Sequence, residues 1–543
     1  MANGLPALPD IPAEQRTPLV EVLLAVIHGQ QDRIRELEET VQQLRDEIAI
    51  LKGQKPRPQI APSRLEQPVP RPPLAAGQKR PGSEKRPKNA QLTITQEIPI
   101  PFPDPPAGSV AKGYEEYIVQ ELVIRAEATR YLRQRIVTAD GLSLLAPLPA
   151  DVLPGQHFGP NLISYILHQY HNNHVTQPLL QDELAQRGIT ISAGQINHIL
   201  TEDKEVFHQE KAELLTAGLA SASYIQVDDT GARHQGKNGY CTQIGNEFFA
   251  YFASTDSKSR VNFLELLRGQ HRDYVINEVA VAYWQKYELS AVLVASLTEG
   301  STHFSDAATW NARLQTLGVT GARLVRITTE GALLGSLIAH GVSPELAVLS
   351  DGAGQFTILV HAACWVHAER PLARMIPYNE EHRLAIERVR QQIWELYQDL
   401  KTYRQQPQPA QVPVLTARFD ALCVQRTGYP SINNVLNEMR EHQADLLRVL
   451  ERPEVPLHNN ASESDIRDYV KKRKISGSTR SDDGRRCRDT FASLKKTCRK
   501  LGIRFWDYLQ DRVRGLGKVP RLAEVIRERA AESITGKAEA VPA

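Results

Sequence analysis

The chain has 543 residues and a mass of 60.7 kDa, more than one hydrophobic core usually organises, so roughly three or four units are expected. Hydrophobic residues at 41% and charged residues at 24% exclude a collagenous or wholly disordered protein, and no apolar run approaches the roughly 18 residues of a membrane span. The net charge of +2 excludes a uniformly basic or acidic chain but can hide local blocks of one sign.

The five scattered cysteines (Cys241, Cys364, Cys423, Cys487, Cys498) argue against a disulfide framework or a four-cysteine zinc module. With no secretory-type leader in the sequence, the expected location is the cytoplasm. After a tail at 1–17, residues 18–53 carry heptads: Ile27, Ile34, Val41 and Ile48 share one phase, and Leu37, Leu44 and Leu51 the phase three later. That choice favours a parallel two-stranded coiled coil and a homodimer or higher oligomer. The alternative is an amphipathic helix packed on its own chain. Residues 54–109 hold 14 of the 34 prolines and read as an extended linker. Its basic tract at 71–88 suits either contact with DNA phosphates or simple solubility.

Within 110–205, three short helices are expected at Asn161–Tyr170, Leu179–Gln186 and Ser192–Leu200, with Gly188 in the second turn and Ser192 as an N-cap. A helix, a glycine turn and a second helix make a helix-turn-helix, a pattern that small helical bundles share. Gln195, Asn197 and His198 are its candidates for touching DNA.

The period then shortens. Tyr224–Asp228, Tyr240–Ile244 and Glu247–Ala253 read as an antiparallel meander, with Gly245-Asn246 as a two-residue hairpin turn. Leu346–Leu349 is a fourth strand. Helical spacing marks 376–450 as an insertion, dividing a core of 206–375 and 451–515; 516–543 is expected to be a tail.

Asp228 and Asp351 stand where apolar strands run out beside small residues, positions that project into the crevice of an α/β sheet. With a third acid, Glu463, they could hold two divalent ions, one for the attacking oxygen of a phosphodiester and one for the leaving oxygen. Glu463 precedes a basic block: residues 466–500 carry thirteen Lys or Arg against four acids, a local excess of nine. Arg467, Lys471, Lys472, Arg473, Lys474 and Arg480 are the candidates for binding phosphates. Asp228 and Asp229 alternate along the strand, so only one of them faces the site. His361, Cys364 and His367 are spaced by three, as on one helical stripe, but one short helix could hardly surround a zinc ion.

The segments VDDTGAR from Val227, SDGAGQF from Ser350, CWVHAER from Cys364, NNASESDIR from Asn459, RKISGSTRSDDG from Arg473 and SLKKTCRKLG from Ser493 occur in order. In these the chain resembles transposases of the insertion sequence 66 family, across roughly residues 110–515. The resemblance implies a multi-domain α/β protein with a ribonuclease H-like catalytic core, interrupted by a helical insertion and preceded by a helix-turn-helix domain and a coiled coil. It further implies cleavage at transposon ends and attack of the freed 3′ hydroxyl on target DNA. The triad falls on Asp228, Asp351 and Glu463, with Mg²⁺ or Mn²⁺, two ions in all, and with His367, Asn459 and Asn460 in support. The implied partners are the end repeats, target DNA and accessory transposition proteins. Many members carry a cysteine-rich zinc module after the coiled coil. Residues 54–160 contain no cysteine here, so no zinc is inferred. Asp229 and Ser464 stand where the family commonly has Glu and Arg. The rival reading is a non-catalytic dimeric DNA-binding regulator derived from a transposase.

Overall fold

The computed structural model describes residues 17–53, 65, 92–149, 152 and 157–539, with side chains to 533. All of the expected tail at 1–17 except Thr17, and the basic tract at 71–88, lie outside the described residues. Helix α1 (Pro18–Leu51) starts at Thr17, whose hydroxyl accepts from the Val20 amide at 3.4 Å, with proline in the first turn where its missing N–H costs nothing. The heptad residues are 37–87% exposed along it. What α1 buries is polar instead: Glu39 and Asp46 are covered, and Glu39 Oε2 accepts from the Ser431 amide at 3.3 Å. The helix therefore leans on its own chain with one face and leaves the apolar seam open. Beyond it, β1 (Arg135–Val137) and β2 (Ser143–Leu145) form a small exposed antiparallel hairpin.

Helices α2 (Pro160–His171), α3 (Gln177–Gln186) and α4 (Ala193–Thr201) follow the expected pattern to within a few residues. Ile166, Leu167, Leu180, Leu184, Ile196 and Leu200 are at most 1% exposed at their junction, as the 3.6-residue spacing requires. Gly188 takes φ +80° in the turn before α4. Helix α5 (Glu205–Ser221) leads to the sheet.

Strands β3 (Tyr224–Gly231), β4 (Tyr240–Gly245) and β5 (Ala250–Thr255) form the expected meander. Gly245 and Asn246 do not make a two-residue turn, however. The loop is 246–249: Asn246 Oδ1 accepts from the Phe248 amide at 2.9 Å, Phe249 is fully buried, and Glu247 leaves the strand to accept from the Tyr224 hydroxyl at 2.6 Å.

The segment that sequence periodicity leaves unassigned holds α6 (Arg260–Arg268), β6 (Tyr274–Val275), α7 (Glu278–Lys286), α8 (Ala291–Thr298), β7 (His303–Phe304), α9 (Ala307–Thr316) and α10 (Ala322–Ala339). Helix α10 is fully enclosed over most of its length, and its glycines permit this. A Cβ on Gly331 would stand 2.1 Å from the Trp284 indole, and one on Gly335 2.1 Å from the Val275 carbonyl.

Strands β8 (Ala347–Ser350) and β9 (Val360–Ala363) complete a mixed sheet of order β5-β4-β3-β8-β9, with β3, β8 and β9 parallel. The chain then runs through α11 (Trp365–Arg374) into the expected insertion, α12 (Glu380–Gln405), α13 (Gln411–Val424), α14 (Pro430–Glu441) and the single turn α15 (Gln443–Leu446). These helices close a second apolar core around Trp365, Ile386, Ile393 and Phe419 against the sheet residues Ala347, Leu349 and Ala362. Helices α16 (Asn460–Ser476) and α17 (Asp482–Lys500) return to the sheet, and α18 (Phe505–Arg514) packs on α2.

The expected tail is not one. Helix α19 (Leu522–Glu539) packs on α5 with Leu522 and Ile526 fully buried. Arg521, just before it, pairs with Glu213 of α5 at 2.6 Å, and Arg512 of α18 bridges to the buried Glu210 at 2.8 Å. Helix α17 lies along edge strand β5: Thr497 Oγ1, Ser493 Oγ and Asp489 Oδ2 accept from the amides of Ala250, Phe252 and Ser254 at 3.1, 2.9 and 2.7 Å. Side chains four apart on the helix thus meet every second residue of the strand. Among the described residues no helix is long and apolar enough to cross a membrane.

Candidate active site

Parallel pairing of β3 with β8 ends at Gln226 opposite Leu349. Asp351 follows the end of β8, whereas Asp228, expected at a strand end, lies two residues further along β3, which continues to Gly231 paired with β4 alone. Asp351 is exposed, and its Oδ1 accepts from the Ala353 amide at 3.0 Å across Gly352, whose φ of +93° suits glycine. Glu463 arrives from the first turn of α16, which rests on β3 and β4. That turn is fixed by buried polar contacts. Asn459 Nδ2 donates to the Val227 carbonyl at 2.8 Å, its amide reaches Cys364 Sγ at 3.3 Å, and the Ser462 hydroxyl donates to Gln243.

Burial and the charges of Asp351, Asp229 and Glu463 push the Asp228 carboxyl up to about 7. The three predicted acids therefore share one electrostatic neighbourhood. They do not form a set with ligand oxygens mutually within 4.8 Å; the described residues that do are elsewhere, at His271, Asp273 and His340.

Asp229 is committed differently. It pairs with Lys258 and accepts from Gln355 Nε2 at 2.8 Å, whereas Asp228 accepts the Asp229 amide at 2.7 Å and faces the other acids. Glu463 is met by Arg370 at 3.3 Å, His367 at 3.5 Å and Arg467 at 3.3 Å, and Arg370 also reaches His367 Nε2 at 2.7 Å. Arg370, Lys258 and Gln355 are absent from the sequence expectations. Arg370 and Gln355 lie inside the quoted motifs CWVHAER and SDGAGQF, which was the available signal; Lys258 has none.

The Oδ1 atoms of Asn459 and Asn460 are buried and accept no hydrogen bond. Carboxylate and amide oxygens of this kind suit hard cations such as Mg²⁺ or Mn²⁺.

The stripe of His361, Cys364 and His367 does not exist. His361 lies on β9, bonded to Ser350 Oγ at 2.9 Å and Asp445 at 3.0 Å, Cys364 caps α11 and is 2% exposed, and only His367 is on the helix.

The basic block is divided. Lys471, Lys474 and Arg480 are exposed, as is Arg467. Lys472 is 5% exposed, donates to the Tyr170 carbonyl at 2.8 Å and lies 3.3 Å from that ring's centroid. Arg473 donates to the Gly231 carbonyl and to Thr230 Oγ1, the latter at 3.2 Å. Two of the six expected phosphate ligands thus join α16 to α2 and β3. Asp465 and Asp468 take up Lys496, Lys500 and Lys495. On α4, the Gln195 side chain is spent in a capping box with Ser192 at 3.0 Å. His198 pairs with Glu202 at 2.6 Å, and the exposed Asn197 accepts from Gln177 at 3.4 Å.

Comparison with known proteins finds the model described as "Transposase IS66 family" matching residues 348–486, from β8 through Asp351, the insertion and Glu463 into α17. A relative from Sinorhizobium fredii (strain NBRC 101917 / NGR234), described as "Uncharacterized protein y4jO", is 43% identical over 303 residues, 55% of this chain and 94% of the relative. The chain belongs to the IS66 transposase family. In this IS66-family chain the matched stretch holds two of the three acids, and Asp228 lies upstream of it.

Proposed function

We propose that the chain is a DNA transposase that cuts element ends and joins the 3′ hydroxyl to target DNA, on a ribonuclease H-like core. The sheet order, a three-stranded meander extended by two parallel strands, supports that core. The reading is carried by the convergence of Asp228, Asp351 and Glu463, delivered by β3, the end of β8 and α16 and felt together at the Asp228 carboxyl.

Asp228, Asp351 and Glu463 would hold two Mg²⁺ or Mn²⁺ ions, which when bound activate the attacking oxygen and stabilise the leaving one. The chain's own groups do the rest. Asn459 fixes the height of Glu463 against β3, while His367 and Arg370 orient its carboxylate. Lys258 and Gln355 occupy the Asp229 carboxylate, leaving Asp228 as the carboxylate available to an ion. Exposed Lys471, Lys474 and Arg480 offer cations to the DNA backbone. Helices α3 and α4 serve as a helix-turn-helix, with Asn197 as its most available polar side chain. Helix α1 pairs with a second copy through its open seam.

The test is a joining assay with labelled element ends and Mg²⁺ or Mn²⁺. Asp228→Asn should remove joined product by on the order of a thousandfold or more, the loss of several kcal/mol of transition-state stabilisation, while leaving end binding intact. Asp229→Asn should cost far less. Full activity in Asp228→Asn would reject the assignment, and end binding with no joining by the wild type would favour the regulator.

A further inference from the structure

Outside the three acids, three imidazoles gather around one carboxylate in the helical segment between β5 and β8. Asp273 follows α6 and is 9% exposed. His340, just after α10, brings Nε2 to 2.8 Å from Asp273 Oδ1 and 3.0 Å from Oδ2. His303 on β7 brings Nε2 to 3.2 Å from Oδ2. His271 stacks on His340 with ring centroids 3.4 Å apart, and ligand atoms of His271, Asp273 and His340 lie within 4.8 Å of one another. We infer that His271, Asp273, His303 and His340 form a structural zinc site, distinct from the three acids and independent of the transposase reading.

Three physical arguments carry this. The donor set is three imidazoles and one carboxylate, which suits Zn²⁺ and disfavours Mg²⁺, a cation that prefers oxygen and water. The spacing fits in part: a tetrahedral zinc with arms of about 2.0–2.1 Å sets its ligands about 3.3 Å apart, the ligand atoms of His271, Asp273 and His340 already lie within 4.8 Å of one another, and His303, 3.2 Å from the same carboxylate but outside that set, must swing inward to complete the four. Support is already in place as well. Ser336 Oγ donates to Asp273 Oδ1 at 3.0 Å, and Arg268 holds the Asp273 carbonyl at 2.6 Å, the kind of outer bonding that orients metal ligands. His271, His303 and His340 are exposed, so an ion can enter from solvent.

The consequence is mechanical. The ligands come from the α6–β6 connection, β7 and the end of α10, so one ion would staple the short β6–β7 pair to the helix that leads directly into β8 and Asp351.

The experiment uses the full chain, prepared without a histidine tag, stripped with EDTA and dialysed against Zn²⁺ in excess Mg²⁺. Bound metal is measured by emission spectroscopy, unfolding by a thermal scan, and the ligand field by visible absorption after Co²⁺ substitution. One zinc per chain, a raised Tm and a Co²⁺ band are expected. All three should persist in a chain carrying Asp228→Asn and Asp351→Asn, and disappear in one carrying His271→Ala and His340→Ala. Should that double variant fail to fold, Ser336→Ala, which removes only the supporting hydroxyl, should lower zinc affinity by about tenfold with an unchanged circular dichroism spectrum. Zinc content unaffected by the histidine or Ser336 changes, loss of zinc with the acidic pair, or no retained zinc in the wild type would each overturn the inference.

Discussion

The Asn459 side-chain amide donates to the Val227 carbonyl at 2.8 Å, tying the start of α16 to the strand residue immediately before Asp228. Together with the Cys364 and Gln243 contacts, this buried hydrogen bond holds two acids separated by more than 230 positions in register. Asn459→Ala should leave the Val227 carbonyl unpaired and cost about 1–3 kcal/mol in stability. Strand joining should fall more steeply than end binding when both are assayed well below the unfolding midpoint. Equal losses in the two assays would mean that Asn459 supports only the fold.

The ladder between α17 and β5 predicts a local effect. Thr497→Val or Ser493→Ala removes the acceptor for the Ala250 or Phe252 amide, leaving a buried donor unsatisfied at a cost of about 1–3 kcal/mol. Hydrogen exchange should report faster exchange at that single amide, with β3 and β8 protected as before.

Lys472 gives a pH dependence with a definite sign. Burial, followed by the charges of Arg488 and Lys495, lowers its ammonium from the usual 10.5 to about 7. Between those pH values the unfolded chain holds a proton that the folded chain has released, so falling pH favours unfolding; below about 7 both states are charged and the contribution is flat. Stability owed to this residue is thus greatest at alkaline pH and declines toward pH 7. Lys472→Met should remove the slope. Urea unfolding at several pH values should show the variant's advantage, on the order of a few kcal/mol near pH 7, shrinking as pH rises.

The seam of α1 bears on assembly. Ile34 is 40% exposed and Leu37 51% exposed in the single chain, so Ile34→Asp should leave the thermal midpoint unchanged while converting a dimer to a monomer in light scattering. A variant that stays dimeric would move the interface elsewhere.

Much of this was legible in the residues, and the misses have physical causes. Heptads revealed α1 because a helix's own period writes the pattern, but not the contact of Glu39 with Ser431, nearly 400 residues away. Strand β9 was hidden because its four residues, Val360–Ala363, are too few to outvote the three-residue spacing of His361, Cys364 and His367. The sequence could not tell Asp228 from Asp229, because the partners that set them apart, Lys258 and Gln355 on Asp229, come from distant segments. Composition likewise counted Lys472 and Lys495 as surface charge, since nothing local in the sequence says that Tyr170 and Asp468 will cover them. The cluster at Asp273 escaped notice because its histidines are scattered over 70 positions and meet only through the fold of a segment without clear periodicity.

The lid that α17 places over β5 decides how the sheet can grow. A bare border strand offers its amides to any passing chain, which is how copies stick together through their backbones. Here the offer has been withdrawn on that side by hydroxyls and a carboxylate from the same molecule. Backbone pairing between copies through β5 is thereby blocked, and a population that lost the α17 contacts would first betray itself as aggregate.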